Sequence, residues 1–88
     1  MFQIFYTKEA SDRLAHIEHF DPKSARQIFD HIQKLPLVFR NDPFLQGSTF
    51  QGLRRNRSGR FRIIYRVLER EKRIHVITID YRKSAYNQ

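Results

Sequence analysis

Leu53-Arg54-Arg55-Asn56-Arg57-Ser58-Gly59-Arg60-Phe61-Arg62-Ile63-Ile64-Tyr65-Arg66-Val67 is the stretch whose reading decides the fold. Phe61, Ile63, Tyr65 and Val67 alternate with Arg60, Arg62, Ile64 and Arg66, the period of two that sends successive side chains to opposite faces of a strand. Ser58-Gly59 is a turn signal, so residues 53–58 and 60–68 are expected to pair as a hairpin. If the Phe61 set packs inward, Arg62, Ile64 and Arg66 point to the open face of the sheet and Arg62 stands exposed in mid-sheet. Arg55 and Arg57 share one face because they are two residues apart. Whether that face is also Arg62's depends on whether the Ser58-Gly59 turn holds a bulge, which the sequence leaves open.

Outward from the hairpin, the charged run Glu69 to Lys72 predicts a second turn, and Arg73-Ile74-His75-Val76-Ile77-Thr78-Ile79 a last strand ending near Asp80. Upstream, residues 36–52 read as a long connection with turn signals at Asn41-Asp42-Pro43 and Gly47-Ser48. Leu37, Phe39, Phe44, Leu45 and Phe50 are available to pin it down. Ahead of it lie two apolar stripes at helical spacing. Thr7 caps the first, with Glu9 in its first turn and Ala10, Leu14, Ile17 and Phe20 along one side. Asp21-Pro22 starts the second, with Ala25, Ile28, Phe29, Ile32 and Leu35, and Pro36 is expected to stop it. Phe2-Gln3-Ile4-Phe5-Tyr6 reads as a first strand. The order β-α-α-β-β-β predicts an α+β fold, a helical hairpin packed on one face of a small, mainly antiparallel sheet, in a single domain spanning 1–88.

The chain has 88 residues and a net charge of +8. At this size it buries only about two-thirds of its unfolded surface, which favours help from a partner. It has no cysteine, which excludes disulfides, thiolate metal sites and thiol nucleophiles. Met1-Phe2-Gln3-Ile4 begins neither a signal peptide nor a membrane span, so a soluble, cytoplasmic protein is expected. The charge is divided unevenly. Residues 1–50 hold six Lys or Arg and six acids, and residues 51–88 hold eleven against three, which is the whole excess. Such asymmetry points to a polyanionic partner, RNA before others, and the arginine fork suits bidentate phosphate contacts.

The stretch from Phe50 to Val67 resembles the signature of the RelE/ParE superfamily of bacterial toxins, and Tyr81-Arg82-Lys83-Ser84-Ala85-Tyr86 looks like that family's closing element. Resemblance to the RelE branch implies a ribosome-dependent endoribonuclease. It enters the ribosomal A site and cuts translated mRNA, the ribose 2′-OH attacking the adjacent phosphate. Carried over by position, Arg62 and Arg82 would stabilise the phosphate, and Tyr86 would stack on a base or help move a proton. Arg55 and Arg57 would position the RNA, with Arg54, Arg60 and Lys83 as further backbone contacts. The ParE branch implies instead a toxin that binds and poisons DNA gyrase without nuclease chemistry.

Both branches imply a cognate protein antitoxin and a toxin–antitoxin hetero-oligomer, and the RelE branch adds mRNA and ribosomal RNA as partners. No membrane, cofactor or metal is implied. His16, His19 and His31 fall on the helices, away from the basic face. His75, on the last strand, is the one histidine within reach of the cleft, and a structural role is expected for it. Arginine stays protonated, so the basic strands supply no evident general base. Glu69 and Glu71 read as solvated turn residues. With only two residues after Tyr86, no autoinhibitory tail is expected.

Overall fold

A computed structural model describes residues 1–81 of the chain. Its elements run β1 (Gln3–Tyr6), α1 (Lys8–Phe20), α2 (Pro22–Val38), short 3-10 turns at Phe39–Asn41 and Ser48–Phe50, β2 (Arg54–Ser58), β3 (Phe61–Leu68) and β4 (Arg73–Tyr81). The four strands form one sheet in the order β1-β4-β3-β2. β1 runs parallel to β4, and the β2–β3 and β3–β4 pairs are antiparallel. The α+β fold and the β-α-α-β-β-β order are as expected from the sequence.

Both helices start where the sequence marks them. The Thr7 hydroxyl accepts from the Ala10 amide at 3.0 Å and donates to the Ile77 carbonyl at 2.6 Å, so one side chain caps α1 and ties it to β4. Asp21 caps α2 through the Ser24 amide and hydroxyl. These bonds to Ser24, the hydroxyl's first, hold the Asp21 carboxyl below its ordinary pKa. Ala10 and Ile17 of α1 and Ala25, Ile28, Ile32 and Leu35 of α2 pack on Phe61, Ile63, Tyr65, Ile74, Val76 and Ile79. Phe20 and Phe29, expected on the apolar stripes, are instead exposed.

Pro36 does not end the second helix. α2 runs through it to Val38, and the Phe39 amide still bonds to the Leu35 carbonyl. A proline so near a helix end removes one ladder bond and disturbs little beyond it. Continuing the helix buries Leu35 and Phe39 completely, and such side chains contribute about 1.5–3 kcal/mol each when fully buried. Burial outweighs the missing bond. The connection that follows is held less evenly than expected, because Phe39 is in the core while Leu37 and Phe44 are exposed.

The connection is fastened through Asp42. The buried Tyr65 hydroxyl donates to Asp42 Oδ2 at 2.5 Å, and Asn56 Nδ2 donates to the same oxygen at 2.9 Å. His31 Nδ1 of α2 lies 2.9 Å from Asn56 Oδ1, which extends the chain of bonds to the helix. Arg54 Nη1 donates to the Phe39 and Asp42 carbonyls at 3.1 and 2.9 Å, while its guanidinium stands 4.0 Å from the Phe44 ring centroid. Burial first, and then the bond to Asp42, push the Tyr65 phenol far above the ordinary tyrosine pKa.

Tyr65→Phe is expected to cost about 1–3 kcal/mol in urea denaturation, since it leaves Asp42 short of a buried donor. The folded state holds the phenol neutral where an unfolded tyrosine, with a pKa of about 10, would ionise. This contribution is therefore complete below pH ~10 and is lost as pH rises further. The variant should show a flatter fall of stability between roughly pH 9.5 and 11 than the wild type.

Candidate functional site

The β2–β3 register places the arginines. Ser58 pairs with Phe61 across a two-residue turn, with Gly59 at φ 58°, the left-handed region that glycine enters at no steric cost. The turn holds no bulge, so Arg57 lies directly opposite Arg62, and Arg55 opposite Ile64. Arg55, Arg57 and Arg62 consequently occupy one face, the one turned away from the helices. The alternate residues Arg54, Asn56 and Ser58 face the helices.

A bulge does occur, but between β3 and β4. Ile64 pairs with Thr78 and Tyr65 with Val76, so β4 spends an extra residue, Ile77, over that step. The inserted residue reverses the parity of β4. Ile74 and Val76 point into the core, yet so does Ile79, and Asp80 turns to the arginine face opposite Arg62. Arg62 Nε donates to Asp80 Oδ1 at 3.0 Å and Nη2 to Oδ2 at 2.8 Å. This is a two-pronged, charge-assisted pair of the strong type. The Arg62 and Asp80 side chains retain 23% and 32% of their exposure.

Arg62 is therefore part-buried and ion-paired, where the sequence suggested exposure in mid-sheet. Nor is its face bare, because Ile64 beside it is only 3% exposed. Asp80 is the site residue that sequence reasoning missed. A parity count from Ile74 and Val76 assigns it to the wrong face, and only the Ile77 bulge corrects that count.

The other expected site residues separate into groups. Arg57 and Arg66 are exposed and Arg55 is half-buried, all on the arginine face. Arg66 Nη2 also donates to the Gln51 carbonyl at 3.4 Å. Arg54 points the other way, into the connection it braces. Arg60, in the turn, donates to the Tyr81 hydroxyl at 2.9 Å. Arg82, Lys83 and Tyr86 lie outside the described residues. His75 is on the arginine face opposite Arg66, and its Nε2 is buried without a hydrogen-bond partner among the described residues. Glu69, read as a solvated turn residue, pairs with Arg40 at 3.0 Å while remaining exposed. No cluster of three or more metal-ligating side chains occurs among the described residues. Within the same residues, no helix is long and apolar enough to cross a membrane.

Chemically, this face offers fixed positive charge, and the His75 Nε2 that could accept a proton is buried. Arginine cannot give up its proton at useful pH, and the Asp80 carboxylate is engaged by Arg62. The described part of the site can bind and orient an anion and stabilise charge that develops on it.

The sequence model of the family described as "ParE toxin of type II toxin-antitoxin system, parDE" matches residues 4–86. Among solved structures, the chain is similar to a YoeB/ParE toxin from Agrobacterium tumefaciens, with a TM-score of 0.77 and 20% identity, covering 91% of this chain and 98% of that one. It is also similar to the archaeal RelE–RelB complex from Pyrococcus horikoshii OT3, with a TM-score of 0.68 and 24% identity, covering 92% and 94%. A chromosomal ParDE system from P. aeruginosa matches with a TM-score of 0.68 and 21% identity, covering 92% and 96%. At these identities the structural likeness shows the fold. No curated protein matches the sequence.

Asp80→Asn should remove the carboxylate that engages Arg62 and raise the charge of the face by one. On a heparin column it is expected to elute at higher salt than the wild type, with the salt dependence of binding steepened by roughly one phosphate equivalent. An unchanged elution would mean that the pair does not limit the face's hold on a polyanion.

Proposed function

The chain belongs to the ParE toxin family of type II toxin–antitoxin systems, and we propose that it is the toxin member that cuts translated mRNA on the ribosome. The observation that carries this reading is the register of Arg57 opposite Arg62 with Arg55 on the same face, which gathers guanidiniums on two adjacent strands. The ribose 2′-hydroxyl gives up its proton as its oxygen attacks the neighbouring phosphorus, the bond from phosphorus to the 5′-oxygen breaks and that oxygen takes up a proton, and a 2′,3′-cyclic phosphate and a 5′-hydroxyl result. Negative charge builds on the phosphate oxygens as this happens, and preorganised guanidiniums stabilise it.

In this reading Arg62, together with Arg82, serves the phosphate. Arg55 and Arg57 hold the backbone on either side, with Arg60 and Lys83 as outer contacts. Tyr86 stacks on a base or takes part in proton transfer. Arg54 is left out of the RNA contacts because it faces the helices, where its Nη1 donates to the Phe39 and Asp42 carbonyls. Phosphate enters the site in competition with Asp80, so RNA binding includes an exchange of one anion for another on Arg62. The ribosome supplies alignment of the 2′-hydroxyl, which is worth much of the barrier when reacting atoms are held in line. A cognate protein antitoxin with an acidic segment would cover the same face and silence it.

A second reading is favoured by a specific observation. Arg62 is held bidentately by Asp80, and a guanidinium engaged in this way serves protein recognition as readily as phosphate chemistry. In that reading the toxin binds DNA gyrase and blocks it without cutting RNA.

Induced expression of wild type and Arg62→Ala, followed by primer extension on translated and untranslated messages, separates the two. The mRNA reading expects cuts phased to codons in translated messages only, falling by about 10²–10³-fold in Arg62→Ala, the usual effect of removing a charge-stabilising donor. Toxicity without cuts, together with inhibited supercoiling by gyrase in vitro, would establish the alternative.

A further inference from the structure

The arginine face carries an aromatic group that the sequence reading did not place there. β1 pairs in parallel with β4, with Phe5 opposite His75 and Gln3 opposite Arg73, and β4 pairs with β3, with His75 opposite Arg66. Phe5, His75 and Arg66 thus form a row across three strands, on the face that also holds Arg55, Arg57 and Arg62. The Phe5 and His75 ring centroids are 5.4 Å apart with the planes inclined at 59°. The Arg73 guanidinium stands 5.4 Å from the Phe5 centroid. Phe5 remains 41% exposed, and Arg66 and Arg73 are exposed as well.

A single exposed phenylalanine is ordinary on a protein surface. One braced by a guanidinium and a second ring, on a face that also carries Arg55, Arg57 and Arg62, is an arrangement suited to holding unpaired bases. Aromatic side chains stack on bases, and arginines take the backbone. We infer that Phe5, braced by the half-buried His75 and flanked by Arg66 and Arg73, forms a stacking subsite for an unpaired base of single-stranded RNA. The subsite lies apart from the Arg55, Arg57 and Arg62 cluster. Two strand spacings and four residues along β3 place it roughly 17 Å from Arg62, a span of a few nucleotides. The subsite would hold a flanking nucleotide while the phosphate to be cut lies at Arg62.

The inference deepens the mRNA reading and rests on RNA being the ligand of this face. An acidic protein segment would satisfy Arg66 and Arg73 but gives no reason for an exposed aromatic ring held against Arg73. Double-stranded RNA is a poor fit, because its bases are stacked on one another and closed to side chains.

The test uses the full chain and a single-stranded hexaribonucleotide carrying 2-aminopurine, whose fluorescence is quenched on stacking. Wild type is expected to quench it on binding. Phe5→Ala should bind roughly ten- to hundredfold more weakly with the quench lost, and Phe5→Trp should retain both. Far-UV circular dichroism of the variants checks that the exposed position is replaced without unfolding.

Equal affinity and quench in Phe5→Ala would overturn the subsite. If wild type nevertheless cuts translated mRNA, the functional reading survives that result. Loss of binding in Phe5→Ala, in a protein that cuts no message, supports the subsite while removing the nuclease reading. A Phe5→Ala variant that loses affinity for an acidic peptide but not for the hexaribonucleotide would assign the patch to a protein partner and overturn the inference.

Discussion

The hydrogen bond from the buried Tyr65 hydroxyl to Asp42 is the contact on which the arrangement of the sheet depends. Tyr65 is wholly buried on β3, and a phenolic hydroxyl in that position costs stability unless an acceptor meets it. Asp42 comes from the connection after α2, so satisfying Tyr65 pulls that connection against the sheet. Asn56 and Arg54 of β2 then complete the arrangement from the same side. With Tyr65, Asn56 and Arg54 committed to the helix side, strand alternation leaves Arg55 and Arg57 only the opposite face. The polar cluster under α2 and the basic face above the sheet are two outcomes of one constraint.

On the far face the decisive balance is between repulsion and pairing. Arg57 and Arg62 are direct neighbours across the β2–β3 ladder, and like charges placed so are unfavourable. Asp80 sits opposite Arg62 on the other side of β3 and offsets that repulsion with two short bonds. The face remains strongly positive because Arg55, Arg57, Arg66 and Arg73 outnumber this one carboxylate. Its character is accordingly graded. Arg62 itself is paired and partly buried, and at β1 the exposed Phe5 ring stands beside Arg73 with His75 next to it. A ligand following the face would meet fixed charge at one end and a stacking surface at the other.

Most of the fold was legible in the order of residues because its signals are local. Thr7 and Asp21 announce helix starts through their own side chains, the alternation from Phe61 to Val67 announces a strand, and Gly59 announces the turn. Two kinds of local signal failed: Pro36, because burial of Leu35 and Phe39 outweighs a single lost backbone bond, and the apolar stripes at Phe20 and Phe29, whose side chains are exposed. The site was legible in part. The charge of the second half and the identity of its arginines could be read directly, as could the sharing of a face by Arg55 and Arg57.

By itself the sequence determined the element order, the helix starts, the inward set on β3 and the concentration of positive charge in the second half, since each of these depends on neighbours within a turn or a strand. Only the tertiary structure decided that Arg57 meets Arg62, that Asp80 engages it, that Arg54 is spent on the connection, and that Phe5 joins the cationic face. Each of these turns on strand register, on the Ile77 bulge or on the parallel pairing of β1 with β4. The first is set by the bulge-free turn at Gly59-Arg60 and the others by contacts between residues distant in the chain, and a shift of one residue in either exchanges the two faces of a strand.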